Sequence, residues 1–304
     1  MIELLEGRFF KTFVTVLEEK SFSRAAEKLG YVQSTVTTHI QLLEQVCKQK
    51  LFHRLSRGVK PTEAGVRLAK FAYQYIHLGH SIEENMNELD HPRGTVSIRM
   101  QEAFFLTRVS GFVSEFMKEY SQVKLRIETG FHQDILNQVL DHAVDFGIVP
   151  HDPGRHDILF YPLAQEKLIF IAPTALAAEV ERKGLGILNE EAVISFGTSC
   201  LYTTQANKVL QESGVNASNA LELPSLEMIK QTVKLGIGFA LIPEVAVKDD
   251  LEAGLFKLLP FPEILSVHGL IVHKDRELSY PGKLFKSHLT DYFRNETRGN
   301  RTGE

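Results

Sequence analysis

The spacing of apolar residues changes character along the chain, and each change marks a new kind of element. Leu5, Phe9, Phe13, Val16 and Leu17 fall on one face of a first helix that starts near Gly7. Ala25, Ala26 and Leu29 line a short second helix, capped by Ser21 or Ser23 and broken at Gly30. Val36, Ile40, Leu43 and Cys47 then recur at steps of four, three and four, which predicts a third, longer helix. The next ten residues, LFHRLSRGVK, read as a hairpin turned at Gly58. From Thr62, a good cap with Glu63 in the first turn, no proline interrupts the chain through residue 89. Leu68, Tyr75, Ile82 and Leu89 recur every seven residues, and Phe71, Leu78 and Asn85 fall three further on. That is the seam of a coiled coil on a rod about 40 Å long, with Asn85 fixing the register. His91, Pro92, Arg93 and Gly94 end it as a hinge.

Beyond the hinge the period drops to two. Val96, Ile98 and Met100 alternate, a helical stripe runs through 104–119, and Val123, Leu125 and Ile127 alternate again. A helix around Ile135, Leu136, Val139 and Leu140 leads to a strand at 145–149. Further strands are expected at 167–172, 192–196, 221–223, 238–242 and 267–272. The helices between them start near 175, 203, 225 and 243, and a last one covers 281–293. This alternation predicts a parallel sheet with helices on both faces. Such sheets hold ligands at the carboxyl ends of their strands, where helix N-termini point into a crevice. Those ends carry Gln101, Glu102 and Ala103, then Thr129, Gly130, Phe131 and His132, then Thr198, Ser199 and Cys200 after Gly197, then Pro224 and Ser225. Thr129, Thr198 and Ser199 suit helix caps equally well, and Phe104, Phe131 and Phe196 suit a core.

Charge separates the two halves. The net charge of −4 divides into ten Lys/Arg against six Asp/Glu over residues 1–60, and twenty-four against thirty-two over the rest. A basic head on an acidic body fits a nucleic-acid module joined to a domain that does not bind nucleic acid. In the third helix Ser34, Thr35, Thr37, Thr38 and Gln41 form a polar face with no carboxylate before Glu44. Two helices on a Gly turn, the second with such a face, have the layout of a DNA-reading helix-turn-helix. Base edges offer donors and acceptors that these side chains match, and phosphates repel carboxylates. Arg54, Arg57 and Lys60 on the hairpin suit the sugar-phosphate backbone.

Other chemistry finds little support. No apolar run approaches a membrane span, and the N-terminus lacks a charged-then-apolar leader. Cys47 and Cys200 sit far apart in sequence, so a disulfide is not expected, and the setting is read as cytoplasmic. His151, Asp152 and His156 lack further ligands for a metal, and Gly236 with Gly238 misses the dinucleotide fingerprint. No metal and no cofactor is expected.

The segments FVTVLEEKSFSRAAEKL, VQSTVTTHIQLLE and LFHRLSRGVKPTEAG together resemble the winged helix-turn-helix of the LysR-type transcriptional regulators. The stretches QEAFFL, ETGFHQDILNQVLDHAVDFGIV, FGTSCLYT and LPSLEMIKQTVKLGIGFALIP resemble the same family's body, so the likeness covers almost the whole chain. It implies an α+β protein: a winged helix-turn-helix over 1–61, a long linker helix for dimerisation over 62–91, and an effector-binding regulatory domain over 92–294. The last is a two-lobed α/β domain resembling type 2 periplasmic binding proteins. Lobe I would span about 94–163 with 267–294 and lobe II about 164–266, with crossings near 162–165 and 261–266 and a disordered tail at 295–304. Partners implied are double-stranded DNA, a small-molecule effector in the interlobe cleft and further copies of the chain, as a homotetramer.

Residues carried over to DNA contact are Ser23, Arg24, Gln33, Ser34, Thr35, Thr37, Thr38, His39, Arg54, Arg57 and Lys60. Those carried over to the effector are Gln101, Glu102, Ala103, Thr129, Gly130, Phe131, His132, Thr198, Ser199 and Cys200. Val32 stands where the family places a capping Ser, Thr38 where it often has Arg, Ala103 where Ser or Thr is common, and Thr203 where Arg is common. The alternative reading is an α/β-cleft enzyme with a helical oligomerisation appendage. Its one acid–base pair would be Glu102 with His132.

Overall fold

Aromatic residues on the first helix organise the N-terminal unit of the computed structural model. The residues described are 5–55, 58–85, 92–217 and 219–299, with side chains omitted at 80, 81, 83–85 and 297–299. Helices α1 (Gly7–Glu19), α2 (Phe22–Leu29) and α3 (Gln33–Cys47) enclose Phe9, Phe10, Phe13, Val16, Ala25, Val36, Ile40 and Leu43. Ser21 caps α2, its hydroxyl accepting the Arg24 N–H at 3.3 Å. The chain leaves α2 through Gly30 at φ +68°, a conformation open to glycine because it has no Cβ. Strands β1 (Phe52–Arg54) and β2 (Val59–Pro61) form the antiparallel wing, with Arg54 opposite Val59.

Helix α4 (Glu63–Asn85) starts on the Thr62 hydroxyl, which accepts the Gly65 N–H at 3.0 Å. A Cβ at Gly65 would lie 2.2 Å from the Leu51 carbonyl, so glycine lets the helix depart this close to the wing. Ala69 and Ala72 close the head core from α4, and Leu68 is half-buried against it. Phe71, Tyr75, Leu78 and Ile82 of the expected seam are exposed, forming an apolar stripe along the rod. Leu89 and the Asn85 side chain lie outside the described residues.

The body begins with β3 (Gly94–Met100) and continues through α5 (Glu102–Phe104), a π-helical turn at Phe105–Val109, α6 (Ser110–Glu119), β4 (Val123–Thr129), α7 (His132–Leu140) and β5 (Phe146–Val149). The long strand β6 (Ile158–Pro173) follows, then α8 (Thr174–Lys183), β7 (Ala192–Ser195), α9 (Leu201–Glu212), β8 (Asn219–Glu222), α10 (Leu226–Lys234), β9 (Phe239–Pro243), α11 (Lys248–Glu252) and β10 (Phe256–Leu258). Strand β11 (Ile264–His273) and helix α12 (Tyr280–Gly299) complete it. The sheet order is β4-β3-β5-β11-β6-β9-β7-β8, with β10 on the side of β6.

The sheet is mixed, which corrects the expectation of a parallel one. Two parallel triads, β4-β3-β5 and β9-β7-β8, are joined by β6 and β11, which run antiparallel to each other and to their neighbours. Each triad has its own core. Ile98, Phe104, Phe146, Phe285 and Phe293 lie in one, and Phe170, Ile229, Phe239, Ile242 and Phe256 in the other. On β6 the changeover falls between Leu163 and Leu168, on β11 between Ile264 and Leu270. The sequence reading started β6 nine residues late because Pro162 argues against a strand. Pro162 is tolerated here because it faces Gly269 at a register shift beside His268. Helix α12 continues through Gly299, into the stretch 295–304 expected as a disordered tail; residues 300–304 lie outside the described residues.

The rod is fastened to the body by polar contacts. Gln74 Nε2 and His142 Nε2 lie 2.9 Å apart, and His77 Nε2 donates to the Glu277 carbonyl. Arg276 donates to Asp145 at 2.5 and 3.1 Å and to the His142 carbonyl at 2.8 Å. The second Asp145 oxygen accepts the Ser97 N–H and hydroxyl at 2.7 and 2.6 Å. Burial alone would raise the Asp145 carboxyl, but Arg276 and Ser97 hold it below the usual carboxylate range.

The register shift gives a test. A Cβ at Gly269 would lie 2.3 Å from the Phe160 ring and 2.9 Å from the Tyr161 carbonyl. Gly269→Ala is expected to cost roughly 1–3 kcal/mol in urea unfolding followed by circular dichroism.

Candidate functional site

Two surfaces concentrate the candidate residues. The first is the outer face of α3. Gln33, Ser34, Thr38 and Gln41 are exposed, with Thr35 and Thr37 half-buried beside them. The Ser23 hydroxyl donates to Gln33 Oε1 at 2.9 Å, tying α2 to the start of α3 and leaving the Gln33 amide N–H groups to donate outward. Thr37 and Thr38 donate to the carbonyls of Gln33 and Ser34, each at 3.0 Å, so their oxygens remain acceptors. Val32 makes no side-chain cap, which leaves the first N–H groups of α3 open to an anion. Glu44, the first carboxylate on α3, is turned to the helix exit, where it accepts the Leu51 N–H at 2.9 Å and pairs with Lys50 at 2.6 Å. Arg24 is exposed at the start of α2, where Nη2 donates to the Glu19 carbonyl.

On the wing, Arg54 and Lys60 are exposed, and the Arg54 guanidinium sits 5.3 Å over the Phe22 ring. Arg57 lies outside the described residues. His39 needs correction as a surface contact. It is buried, its Nδ1 is 2.9 Å from the Thr12 hydroxyl, and its ring packs on Phe9 and Tyr31 at 5.0 and 5.6 Å. Burial lowers its pKa, and the Arg8 charge adds to that. The alternation of polar residues along α3 concealed that position 39 belongs to the inner face.

The second surface is a cleft of about 430 Å³ between the two lobes. Gln101, Glu102, Ala103, Thr129, Gly130, Phe131 and Cys200 line it together, as the strand-end argument expected. Three expected residues do not. Thr198 and Ser199 are exposed outside the lining, and His132 is turned away. The His132 ring stacks on His151 at 4.2 Å, with neither Nδ1 hydrogen-bonded among the described residues. Burial pushes His132 down to about 4, with His151 adding to it.

Sequence reasoning missed Arg99, Asp134 and Tyr202. Arg99 lies on the polar parity of β3 and Asp134 in the first turn of α7, both one step from a strand end. Arg99 Nη2 pairs with Asp134 at 2.7 Å, and Nε donates to the Thr129 carbonyl at 3.2 Å. A Cβ at Gly130 would come within 2.7 Å of the Arg99 Nε, so glycine makes room for that pair. Glu102 reaches across the cleft. Its two oxygens accept the Ser225 hydroxyl at 3.0 Å and the Leu226 N–H, at the start of α10, at 2.9 Å. With Glu102 on α10 and His132 on His151, the acid–base pair of the enzyme reading is not assembled.

Behind the cleft, where β6 and β11 cross, lies a buried polar network. His268 Nε2 is 3.2 Å from both Gln101 Oε1 and the Tyr202 hydroxyl. Tyr202 donates to Glu166 at 3.4 Å, and Arg108 pairs with Glu166 at 3.2 Å and with Glu296 at 3.0 Å. Phe104 stacks on His268 at 4.4 Å. Burial drives His268 down to about 3, with Arg108 adding to it, and raises both the Tyr202 phenol and the Cys200 thiol. Cys200 is therefore a protonated wall residue rather than a reactive thiolate.

Comparison with known proteins covers both surfaces. The model for the bacterial regulatory helix-turn-helix protein, lysR family, matches residues 8–66, and the model for the LysR substrate binding domain matches residues 89–294. The HTH-type transcriptional regulator YofA of Bacillus subtilis (strain 168) is 30% identical over 244 residues, 80% of this chain and 83% of that protein. Among solved structures, ArgP from Mycobacterium tuberculosis is similar with a TM-score of 0.74 at 17% identity, covering 95% of this chain and 97% of its own. A full-length OxyR variant from Pseudomonas aeruginosa has a TM-score of 0.71 at 20% identity, covering 95% of each chain. At these identities the structural likeness concerns the fold. No described helix is long and apolar enough to cross a membrane.

The buried histidines set a pH dependence. Burial in the folded protein pushes His142 down to about 4 and His268 down to about 3, while the unfolded chain takes up protons near 6.5. Their contribution is therefore complete above pH 6.5 and is lost as pH falls toward 4. The loss is roughly 1.4 kcal/mol per pH unit for each ring. Thermal unfolding between pH 7.5 and 4.5 should show this decline, and His142→Gln should make it shallower.

Proposed function

Because the chain belongs to the LysR family of bacterial transcriptional regulators, built from a DNA-binding head and an effector-binding body, we propose that α3 reads operator DNA in the major groove on behalf of a metabolite-sensing cleft. The observation that carries this reading is the exposed first half of α3, which has no carboxylate and whose one acid, Glu44, is tied down at the far end. Gln33, Ser34, Thr37 and Thr38 contact base edges, with Gln33 as donor and the threonines as acceptors. Ser23, Arg24 and Thr35 lie at the rim of that surface. Arg54, Arg57 and Lys60 take phosphates on the wing, and the open N-terminus of α3 takes another.

Two heads are needed to read a split site. The exposed stripe of Phe71, Tyr75, Leu78 and Ile82 supports a homodimer through α4, and two such dimers give the homotetramer expected from the family. The protein works in the cytoplasm, where its DNA is. The effector sits between Gln101, Glu102, Thr129 and Phe131 on one side and Cys200 on the other. Closing the lobes on it changes how α4 is held and so where the paired heads point.

Thr37→Glu should lower specific duplex affinity roughly 100-fold or more with an unchanged circular dichroism spectrum. Wild-type affinity should fall roughly 10³-fold between 50 and 200 mM salt in a fluorescence-anisotropy titration, if the paired heads neutralise about six phosphates. Leu78→Asp should shift the sedimenting species toward monomer and weaken operator binding with it. Full footprinting by the Thr37→Glu variant would overturn the recognition-helix assignment.

A further inference from the structure

The charges around the cleft select the kind of molecule it takes. The lining carries three charged side chains, Arg99, Glu102 and Asp134. Arg99 is the one cation among them, and it is already engaged by Asp134 at 2.7 Å and by the Thr129 carbonyl at 3.2 Å. Of the helix starts at the cleft, that of α10 is occupied by the Glu102 carboxylate through Ser225 and Leu226, while α7 and α9 begin after Phe131 and Cys200 without a side-chain cap. An anionic ligand that drew on Arg99 or on the start of α10 would have to displace a carboxylate already bound there, and would still face the net negative charge of the three charged side chains. Release of the part-buried Glu102 leaves a carboxylate without its partner, whereas Asp134 is half exposed and is solvated when it lets go.

A cation meets the opposite situation. Each Glu102 oxygen has accepted one hydrogen bond and keeps a lone pair for a donor. Asp134 stands on the same lobe, and Phe131, Phe196 and Tyr202 add aromatic walls of the kind that attract ammonium and guanidinium groups. The volume of about 430 Å³ suits a small metabolite.

We infer that the effector is a small organic cation, a primary amine or a guanidine, and that Glu102 reads its charge. The inference rests on the reading of this cleft as the effector site. Glu102 comes from the first lobe and holds the first turn of α10 in the second. A cation bound against it neutralises the carboxylate at the point where the lobes meet, and occupancy is coupled there to closure.

The test uses full-length protein and four-carbon probes matched in ionic strength: 1,4-diaminobutane, 1-amino-4-guanidinobutane, butane-1,4-diol and butanedioate. Calorimetry and thermal unfolding should show saturable binding and stabilisation by at least one cation, and none by butanedioate. Glu102→Gln, which keeps an oxygen for the Leu226 N–H, should weaken cation binding at least tenfold. Arg99→Met, which releases Asp134, should tighten it severalfold, an opposite sign that a general loss of structure would not produce. Stabilisation by butanedioate, cation binding indifferent to Glu102→Gln, or no response to either cation would overturn the inference. Duplex binding by the same samples is measured separately. Its loss in wild-type protein would strike the regulator reading, whereas DNA-competent protein that responds to the dianion would strike the charge assignment alone.

Discussion

The pairing of β6 with β11 is the constraint on which the body depends. Ten residue pairs join the two strands, and along both of them the side chains pass from one apolar core to the other. A crossing made of ladder hydrogen bonds can twist, but it cannot swing as a loose linker would. The buried polar groups at that crossing are tied together: Glu166 is held by Arg108 and Tyr202, and the neutral His268 ring, through Nε2, by Gln101 and Tyr202. Gln101 and Tyr202 also line the cleft, so the ligand site and the crossing share atoms.

The head is governed by where acids are absent. A helix that meets phosphates is favoured by removing carboxylates from its outer face, and α3 does so without becoming strongly basic. The side chains exposed on its first half are short, polar and uncharged, while Arg54 and Lys60 stand exposed on the neighbouring wing. Helix α4 runs from this head to the body with two apolar faces. It buries Ala69 and Ala72 in the head and leaves Phe71, Tyr75, Leu78 and Ile82 outside.

Much of this was legible in the sequence, and the failures have physical reasons. Helices α1 to α4 followed their apolar spacing, because a three-helix head with a wing has one inside and one outside. The strand ends of the body also gathered as expected at Gln101, Glu102, Thr129, Phe131 and Cys200. His39 misled because a histidine among threonines and glutamines carries no mark of burial until Phe9 and Tyr31 close over it. His132 misled because its partner, His151, comes from the loop after β5. Pro162 hid half of β6, since its tolerance depends on Gly269 more than a hundred residues away. Arg99 and Asp134 were invisible as a pair because nothing local brings a strand residue and a helix residue together.

Strand β3 is held at its middle and beyond its end by different groups. At Ser97 it is bonded to Asp145, which Arg276 connects to His77 on α4. At its far end, about 13 Å along the extended backbone, it delivers Gln101 to the cleft. An extended strand paired on both sides is stiff along its own axis. Any displacement of Gln101 along the strand axis would bear, like the stroke of a push rod, on the Asp145–Arg276–His77 contacts. The cleft and the contacts that hold α4 to the body are in this sense joined by one short piece of chain, on the first lobe alone.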